Sequence, residues 1–232
     1  MQQTNEENSL ILGIDDAGRG PLIGPMALAG CLIPKSLEKE FKELGVRDSK
    51  TLTDKKREFL AEKIRKKALA FHVVLAFPDK IDEGIKNGTN LNKIEAMEAA
   101  EIINKLTENI NEPVSIIIDC PSPNREAWRN QVMKYIHFTD NLTIACEHKA
   151  DRDYPAVSAA SILAKSQREK EVAKIREKIG KDFGSGYTSD PKTIEFMKSH
   201  SKEYKNDGIF RESWVTFKDY KAKKEQKKLG DF

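Results

Sequence analysis

Asp15 and Asp16 stand side by side after a short apolar run, Leu10 to Ile14, and Asp119 follows the most hydrophobic run of the chain, Val114 to Ile118. Asp151 comes five residues after another apolar segment, Leu142 to Cys146, and shortly before a long helical stretch. In α/β sheets, strand ends are where side chains emerge toward ligands, so these four acids can face one edge. Carboxylates gathered there repel one another and resist ionisation unless divalent cations sit among them. A ligand set made only of oxygens suits Mg2+ or Mn2+ and not zinc. Any one of these aspartates alone reads as a turn or helix cap. The doublet with two further acids on matching edges moves the reading toward a metal site.

The elements that must position these acids follow from periodicity. Leu10 to Ile14 and Leu22 to Ile33 read as strands, joined by a Gly- and Pro-rich turn and broken at Gly24-Pro25. Helical spacing runs over Leu37 to Leu44 and over Asp54 to Leu69, where Thr53 is placed to cap. A strand is expected at Phe71 to Phe77, ended by Pro78, and a helix at Leu91 to Leu106 after the Asn87-Gly88 turn. Val114 to Ile118 is continuous and β-branched, as a strand buried on both faces should be. A helix from Arg125 to Ile136, a strand at Leu142 to Cys146 and a long helix from about Val157 to Ile179 complete the body. The long helix opens on Ser158-Ala159-Ala160-Ser161, small side chains that allow close approach to another backbone. This order gives an α/β fold, a mixed β-sheet flanked by helices, with a small helical C-terminal appendage.

Composition sets the outer limits. The chain has 232 residues, 38% hydrophobic and 33% charged, enough for one ordinary α/β domain with an appendage. No apolar run is long enough to span a membrane. The net charge is +3; the segment from Thr188 to Phe232 carries 11 Lys/Arg against 8 Asp/Glu, so all of the excess is C-terminal. Cys31, Cys120 and Cys146 have neither the number nor the spacing of a disulfide framework or a zinc site. The polar, acidic N-terminus lacks a basic region followed by an apolar one, so a cytoplasmic protein with reduced thiols is expected.

Gly13-Ile14-Asp15-Asp16-Ala17-Gly18-Arg19-Gly20-Pro21 followed by Ile23-Gly24-Pro25 resembles the signature of type 2 ribonucleases H. Asp48-Ser49-Lys50, Glu147-His148-Lys149-Ala150-Asp151 with Tyr154-Pro155, the helix start Val157 to Lys165, and Gly184-Ser185-Gly186-Tyr187 with Ser189-Asp190-Pro191 resemble the same family, in the same order. The likeness spans residues 10 to 191 and is nearest the archaeal ribonuclease HII pattern. It implies an RNase H-like fold and hydrolysis of the RNA strand of RNA/DNA hybrids. It also implies incision 5′ of ribonucleotides embedded in duplex DNA, leaving 5′-phosphate and 3′-hydroxyl ends. By this resemblance Asp15, Asp16, Asp119 and Asp151 are the catalytic residues and hold two Mg2+ or Mn2+ ions.

Gly18, Arg19 and Gly20 match the family's loop that senses the 2′-hydroxyl, the group that separates RNA from DNA. A glycine-flanked backbone can approach a sugar closely; read alone, the tripeptide is a tight turn with an exposed Arg. Tyr187 matches a tyrosine that packs on the deoxyribose after the ribonucleotide, and Lys50 matches a lysine that contacts phosphate. One departure stands out. The family usually has Asp-Glu where this chain has Asp15-Asp16, and the missing methylene shortens the second carboxylate's reach by about 1.5 Å. The expectation is a site that still works, through a water-bridged ligand or an altered Mg2+/Mn2+ preference. His148, beside the block that contains Asp151, reads more readily as a hydrogen-bonded structural histidine than as a proton carrier.

The chain ends Gln226-Lys227-Lys228-Leu229-Gly230-Asp231-Phe232. This Gln-x-x-Leu-x-x-Phe pattern resembles the peptide by which replication and repair enzymes bind the sliding clamp, with Gln226, Leu229 and Phe232 as its contacts. The expected organisation is therefore an extension at 1–9, a catalytic domain at 10–187, a helical region at 188–225 and a clamp-binding peptide at 226–232. A monomer is expected. Two readings compete: a non-catalytic hybrid-binding module of the same fold, and another metal nuclease such as a resolvase or transposase core. The first is disfavoured by the complete carboxylate set, the second by the Gly-Arg-Gly loop and Tyr187.

Overall fold

The structure, a computed structural model, describes residues 9–47 and 52–229. The strands are β1 (Leu10–Ala17), β2 (Met26–Pro34), β3 (Ala70–Ala76), β4 (Val114–Asp119) and β5 (Leu142–Glu147). They form one sheet in the order β3-β2-β1-β4-β5. Strand β1 runs antiparallel to β2 and parallel to β4, and β4 runs parallel to β5. Among the described residues the helices are α1 (Leu37–Glu43), α2 (Asp54–Lys67), α3 (Pro78–Lys86), α4 (Leu91–Thr107), α5 (Arg125–Met133), α6 (Ala150–Asp153), α7 (Pro155–Ile179), α8 (Pro191–His200) and α9 (Val215–Leu229). None of them is long and apolar enough to cross a membrane.

Several boundaries differ from expectation. Strand β1 continues past Ile14 to Ala17, so Asp15 and Asp16 lie inside it, paired with Ala29 and Leu28 of β2. The parallel ladder with β4 stops at Ile14 opposite Ile118, so β1 outlasts β4 on one side just where the acids begin. Strand β2 starts at Met26 and not at Leu22, because Leu22 and Ile23 turn away; Ile23 instead bridges to Phe210. Strand β4 is not covered on both faces: Val114, Ile116 and Ile118 are buried while Ser115 is exposed. The polar side chain in the middle of the run marks the open face, and β2 is the strand buried on both. Helix α3 follows Pro78, where the hydrophobic pattern marks only the end of a strand, although Pro at the first turn is a start signal. Helix α5 ends at Met133, three residues before Ile136.

The chain packs as two compact units. The first contains Met1–Ala17, Ala27–Val74 and Asn92–Gln167, and with them the sheet core. The start of α7 lies directly on β1 here. A Cβ on Gly13 would stand 2.1 Å from the carbonyl carbon of Ala156 and 2.3 Å from the Val157 nitrogen, so only glycine admits this contact. Ala156, Ala159 and Ala160 are fully buried, which is the close approach their small size predicts.

The second unit contains Gly18–Met26, Leu75–Leu91 and Arg168–Phe232. Its core joins Leu22, Ile23, Val172, Phe183, Phe196 and Phe217 with their neighbours. Asp190 caps α8 by accepting from the Lys192 amide at 2.9 Å, and Pro191 occupies the first turn.

Candidate active site

In the first unit Asp15, Asp16 and Asp119 come together, and Asp151 is tied to them through its neighbour. Asp15 is 6% exposed. Its Oδ1 accepts the Asp16 amide at 2.7 Å, and its carboxylate also bonds Ser161, a fully buried residue on α7. Burial pushes the Asp15 carboxyl well above its ordinary range, and the adjacent Asp16 and Asp119 charges push it further, against the opposing pull of those two hydrogen bonds. Ser161 in turn accepts from the Lys165 ammonium at 3.1 Å, one helical turn along.

Asp119 is half-buried at the end of β4, and its Oδ1 accepts the Ala150 amide at 2.9 Å. The turn that aims this amide passes through Lys149 at φ 61°, the one non-glycine residue with positive φ among the described residues. That conformation costs about 1–2 kcal/mol. Asp151 follows directly on α6, 4% exposed, and its carbonyl oxygen accepts the Ser158 hydroxyl. Among the described residues no three His, Cys, Asp or Glu side chains converge closely enough to close on one ion. The arrangement is therefore a set of neighbouring carboxylates and not a finished cage. Its chemistry suits a divalent cation all the same: every donor is a carboxylate oxygen, and Asp15 is buried against two like charges that a cation would offset.

The second unit holds the other expected group. Gly18 takes φ 79°, Gly20 is exposed, and the Tyr187 Cε1 lies 3.8 Å from where a Cβ on Gly20 would stand. The Gly186 carbonyl accepts the Leu22 amide at 2.7 Å and the Ile23 amide at 3.2 Å, which ties the turn before Tyr187 to the residues after the loop. The Tyr187 ring is 40% exposed and packs against the Arg168 guanidinium, 5.7 Å from its centroid.

Other expected residues are placed as follows. Lys50, with Asp48 and Ser49, lies outside the described residues, and so does Phe232. Gln226 is exposed on α9 and Leu229 is the last residue of that helix. His148 is exposed, with Nε2 at 2.8 Å from the Ser122 carbonyl, in keeping with a structural role.

Three residues in contact with the expected site residues escape sequence reasoning. Ser161 was visible only as one of a run of small side chains. Arg168 sits against Gly18, where a Cβ would meet its Nε at 2.0 Å, and its buried Nε and Nη2 make no hydrogen bond among the described residues. Burial lowers the pKa of this guanidinium. Arg211 bonds the Gly18 carbonyl across 193 positions of sequence, and no local pattern announces a contact of that separation.

A family model described as Ribonuclease HII matches residues 12–217. The chain is 41% identical over 221 residues to the Ribonuclease HII of Methanococcus maripaludis (strain C6), a match that covers 95% of this chain and 90% of the relative. Among solved structures, it is similar to the ribonuclease H2 from Pyrococcus horikoshii OT3, with TM-score 0.81 and 33% identity over 92% of this chain and 98% of that one. It is also similar to a chain of the PCNA:RNase HII complex from Archaeoglobus fulgidus, with TM-score 0.77 and 38% identity over 88% of this chain and 95% of that one. The mixed five-stranded sheet with flanking helices is thus the RNase H-like fold.

Proposed function

The chain belongs to the ribonuclease HII family and is a ribonuclease H acting on RNA/DNA hybrids, and from that premise we propose that it also incises duplex DNA on the 5′ side of an embedded ribonucleotide. The products are a 5′-phosphate and a 3′-hydroxyl, and the biological role is removal of misplaced ribonucleotides and processing of RNA primers in the cytoplasm. Asp15, Asp16, Asp119 and Asp151 are the residues that would hold two Mg2+ or Mn2+ ions. Bound there, the ions supply Lewis acidity toward the attacking water and the leaving 3′-oxygen.

The chain's own residues do the rest. Ser161 and the Asp16 amide orient the Asp15 carboxylate, and the Ala150 amide orients Asp119. Side chains held by such outer bonds keep the geometry a displacement needs. Gly18, Arg19 and Gly20 offer backbone groups to the ribose 2′-hydroxyl, while Tyr187 packs on the next sugar. Lys50 contacts phosphate. The observation that carries this reading is the juxtaposition of Tyr187 with Gly20, 3.8 Å between ring carbon and Cβ position. A ring beside a sugar-reading loop suits a ribose followed by a deoxyribose.

The protein works as a monomer and docks on the sliding clamp through Gln226, Leu229 and Phe232. This reading is supported by the terminal sequence and by the similar chain solved in complex with PCNA.

The test is a DNA duplex carrying one ribonucleotide, with Mg2+ or Mn2+, its products mapped to single-nucleotide resolution and their ends probed with phosphatase and ligase. A single cut 5′ of the ribonucleotide is expected. Cutting confined to longer RNA tracts, or binding without cutting, overturns the proposal.

A further inference from the structure

Arg211 is 0% exposed, and its guanidinium is spent on the backbone of the loop that begins at Gly18. Nη2 donates to the Gly18 carbonyl at 2.6 Å and Nη1 to the Arg19 carbonyl at 2.8 Å. Nε and Nη2 both donate to the Gly24 carbonyl, at 3.0 and 2.9 Å. Trp214 extends the set: its Nε1 donates to the Gly20 carbonyl at 3.2 Å, and the Arg211 guanidinium lies 4.9 Å from its ring centroid. Three consecutive carbonyls, those of Gly18, Arg19 and Gly20, are thus gathered by two side chains from the C-terminal part of the chain.

The consequence for the loop follows from peptide geometry. Each peptide unit is trans, so its N–H points opposite to its C=O. With the Gly18 and Arg19 carbonyls drawn toward Arg211, the amides of Arg19 and Gly20 are directed away from it. Successive backbone N–H groups facing one way form a concave donor set for an oxygen acceptor. A loop centred on two glycines would otherwise sample many shapes.

Arg211 is itself held from several sides. Its amide donates to the Leu22 carbonyl at 2.9 Å, and the Gly24 amide donates to the Ile209 carbonyl at 2.9 Å. Asp82, on α3, accepts the amides of Glu212 and Ser213 at 2.7 and 2.9 Å and also the Ser213 hydroxyl. Burying a guanidinium is expensive, and a turn that only had to reverse the chain would not need one. A loop that must meet a sugar hydroxyl with pre-aligned donors does, because donors fixed beforehand cost no reorganisation on binding.

We propose that Arg211, with Trp214, is a positioning residue for ribose discrimination: Arg211 sets the Gly18–Arg19 and Arg19–Gly20 peptide planes so that the Arg19 and Gly20 amides meet a 2′-hydroxyl, and Trp214 holds the loop at the Gly20 carbonyl. This rests on the reading of that loop as the 2′-hydroxyl sensor. Arg211 touches no substrate. The C-terminal segment is accordingly part of the specificity apparatus.

The experiment uses the full chain carrying Arg211→Lys or Trp214→Phe. Lysine keeps the charge and loses the fork; phenylalanine keeps a ring and loses only the donor to Gly20. Circular dichroism establishes folding. Cleavage of a single-ribonucleotide duplex gives kcat and KM, and inhibition by the same duplex in all-DNA form gives an affinity that involves no 2′-hydroxyl. For both variants kcat/KM should fall about tenfold, as loss of one or two oriented hydrogen bonds implies, while the all-DNA inhibition constant stays at the wild-type value. A merely structural role would weaken both substrates together. Equal losses on both, or folded variants with unchanged kcat/KM, overturn the proposal. If Arg211→Lys does not fold, the Trp214→Phe result alone decides. Should the wild-type protein itself bind the all-DNA duplex as tightly as the ribonucleotide duplex, it is the sensor reading of the loop that fails.

Discussion

The backbone amide of Ala150 donates to Asp119 Oδ1 at 2.9 Å, so the acid at the end of β4 and the position next to Asp151 are fixed by one hydrogen bond. Because this bond needs an acceptor and not a charge, Asp119→Asn keeps it through the amide oxygen. The variant should fold with wild-type stability and bind hybrid normally, yet lose cleavage by about 100-fold or more, the scale on which removal of a charge that acts in the transition state is felt. Gel-shift and single-turnover assays on one preparation separate these effects. A fully active Asp119→Asn removes the assignment.

Asp15 gives a pH prediction for the metal-free protein. Its folded pKa is raised, so over the window above the ordinary carboxylate value of 3.8 the native state keeps a proton that the unfolded chain has lost. Native protein then binds more protons than unfolded protein, and stability falls as pH rises through that window. Asp15→Asn abolishes the penalty while its Oδ1 still accepts the Asp16 amide. In EDTA at pH 8 the variant should melt several degrees above wild type, each kcal/mol being about 2–4 °C in a chain of this size. The gain should vanish below about pH 3, under the ordinary value of 3.8, where the wild-type carboxyl is protonated in both states. A variant that melts lower at pH 8 contradicts this account.

Much of the fold could be read because hydrophobic runs and turn residues are local signals. The five strands and the helices α2, α4 and α7 follow from them, and the family blocks point to the acids. The errors have physical causes. Carboxylates end an apolar run, which sets Asp15 and Asp16 after β1 in the sequence pattern, but antiparallel pairing with β2 carries the strand on to Ala17. Strand β4 looked buried on both sides because β-branched residues dominate it, whereas Ser115 faces out. Arg211 and Trp214 were invisible because their partners, Gly18, Arg19 and Gly20, lie almost the whole chain away. Pattern reading finds what a residue is next to in sequence; it does not find a buried guanidinium's distant acceptors.

Asp16 stands where the resembled signature carries glutamate, and it is held in β1 opposite Leu28. The strand cannot slide to make up a methylene without breaking that register, so at the proposed metal site the shorter reach should show in the metal dependence. Asp16→Glu should change the ratio of the Mg2+ to the Mn2+ rate, by about tenfold if the effect resembles other disturbances around metal ligands. Steady-state rates in both metals check it. Identical rates and metal dependence in the two proteins refute the idea.

Gln226 is exposed on α9, and Leu229 ends that helix three residues on. Removing residues 226–232 should abolish binding to the sliding clamp while leaving cleavage of a short free duplex unchanged. The intact chain should bind with a dissociation constant of about 10 μM or tighter, roughly 7 kcal/mol. Calorimetric titration of the clamp with both proteins makes the comparison. Equal affinity of the truncated and intact chains rules the peptide out.

Gly13 lies two residues before Asp15 and under the first turn of α7, the helix that carries Ser161. The alanine methyl in Gly13→Ala would meet the Ala156 carbonyl carbon at 2.1 Å and the Val157 nitrogen at 2.3 Å, both backbone atoms that no rotamer change can move. The helix must lift from the strand, at a cost of about 3 kcal/mol, the upper end of ordinary overpacking. For a chain of this size that lowers the melting temperature by about 6–12 °C. Cleavage should fall even at temperatures where the variant is folded, since lifting α7 withdraws Ser161 from the Asp15 carboxylate. Ala156→Gly added to Gly13→Ala trims a side chain and leaves the obstructing backbone in place, so it should restore neither stability nor activity. Thermal unfolding and hybrid cleavage on the single and double variants read both effects, and recovery in the double variant would show that side-chain crowding, and not backbone contact, demands glycine here.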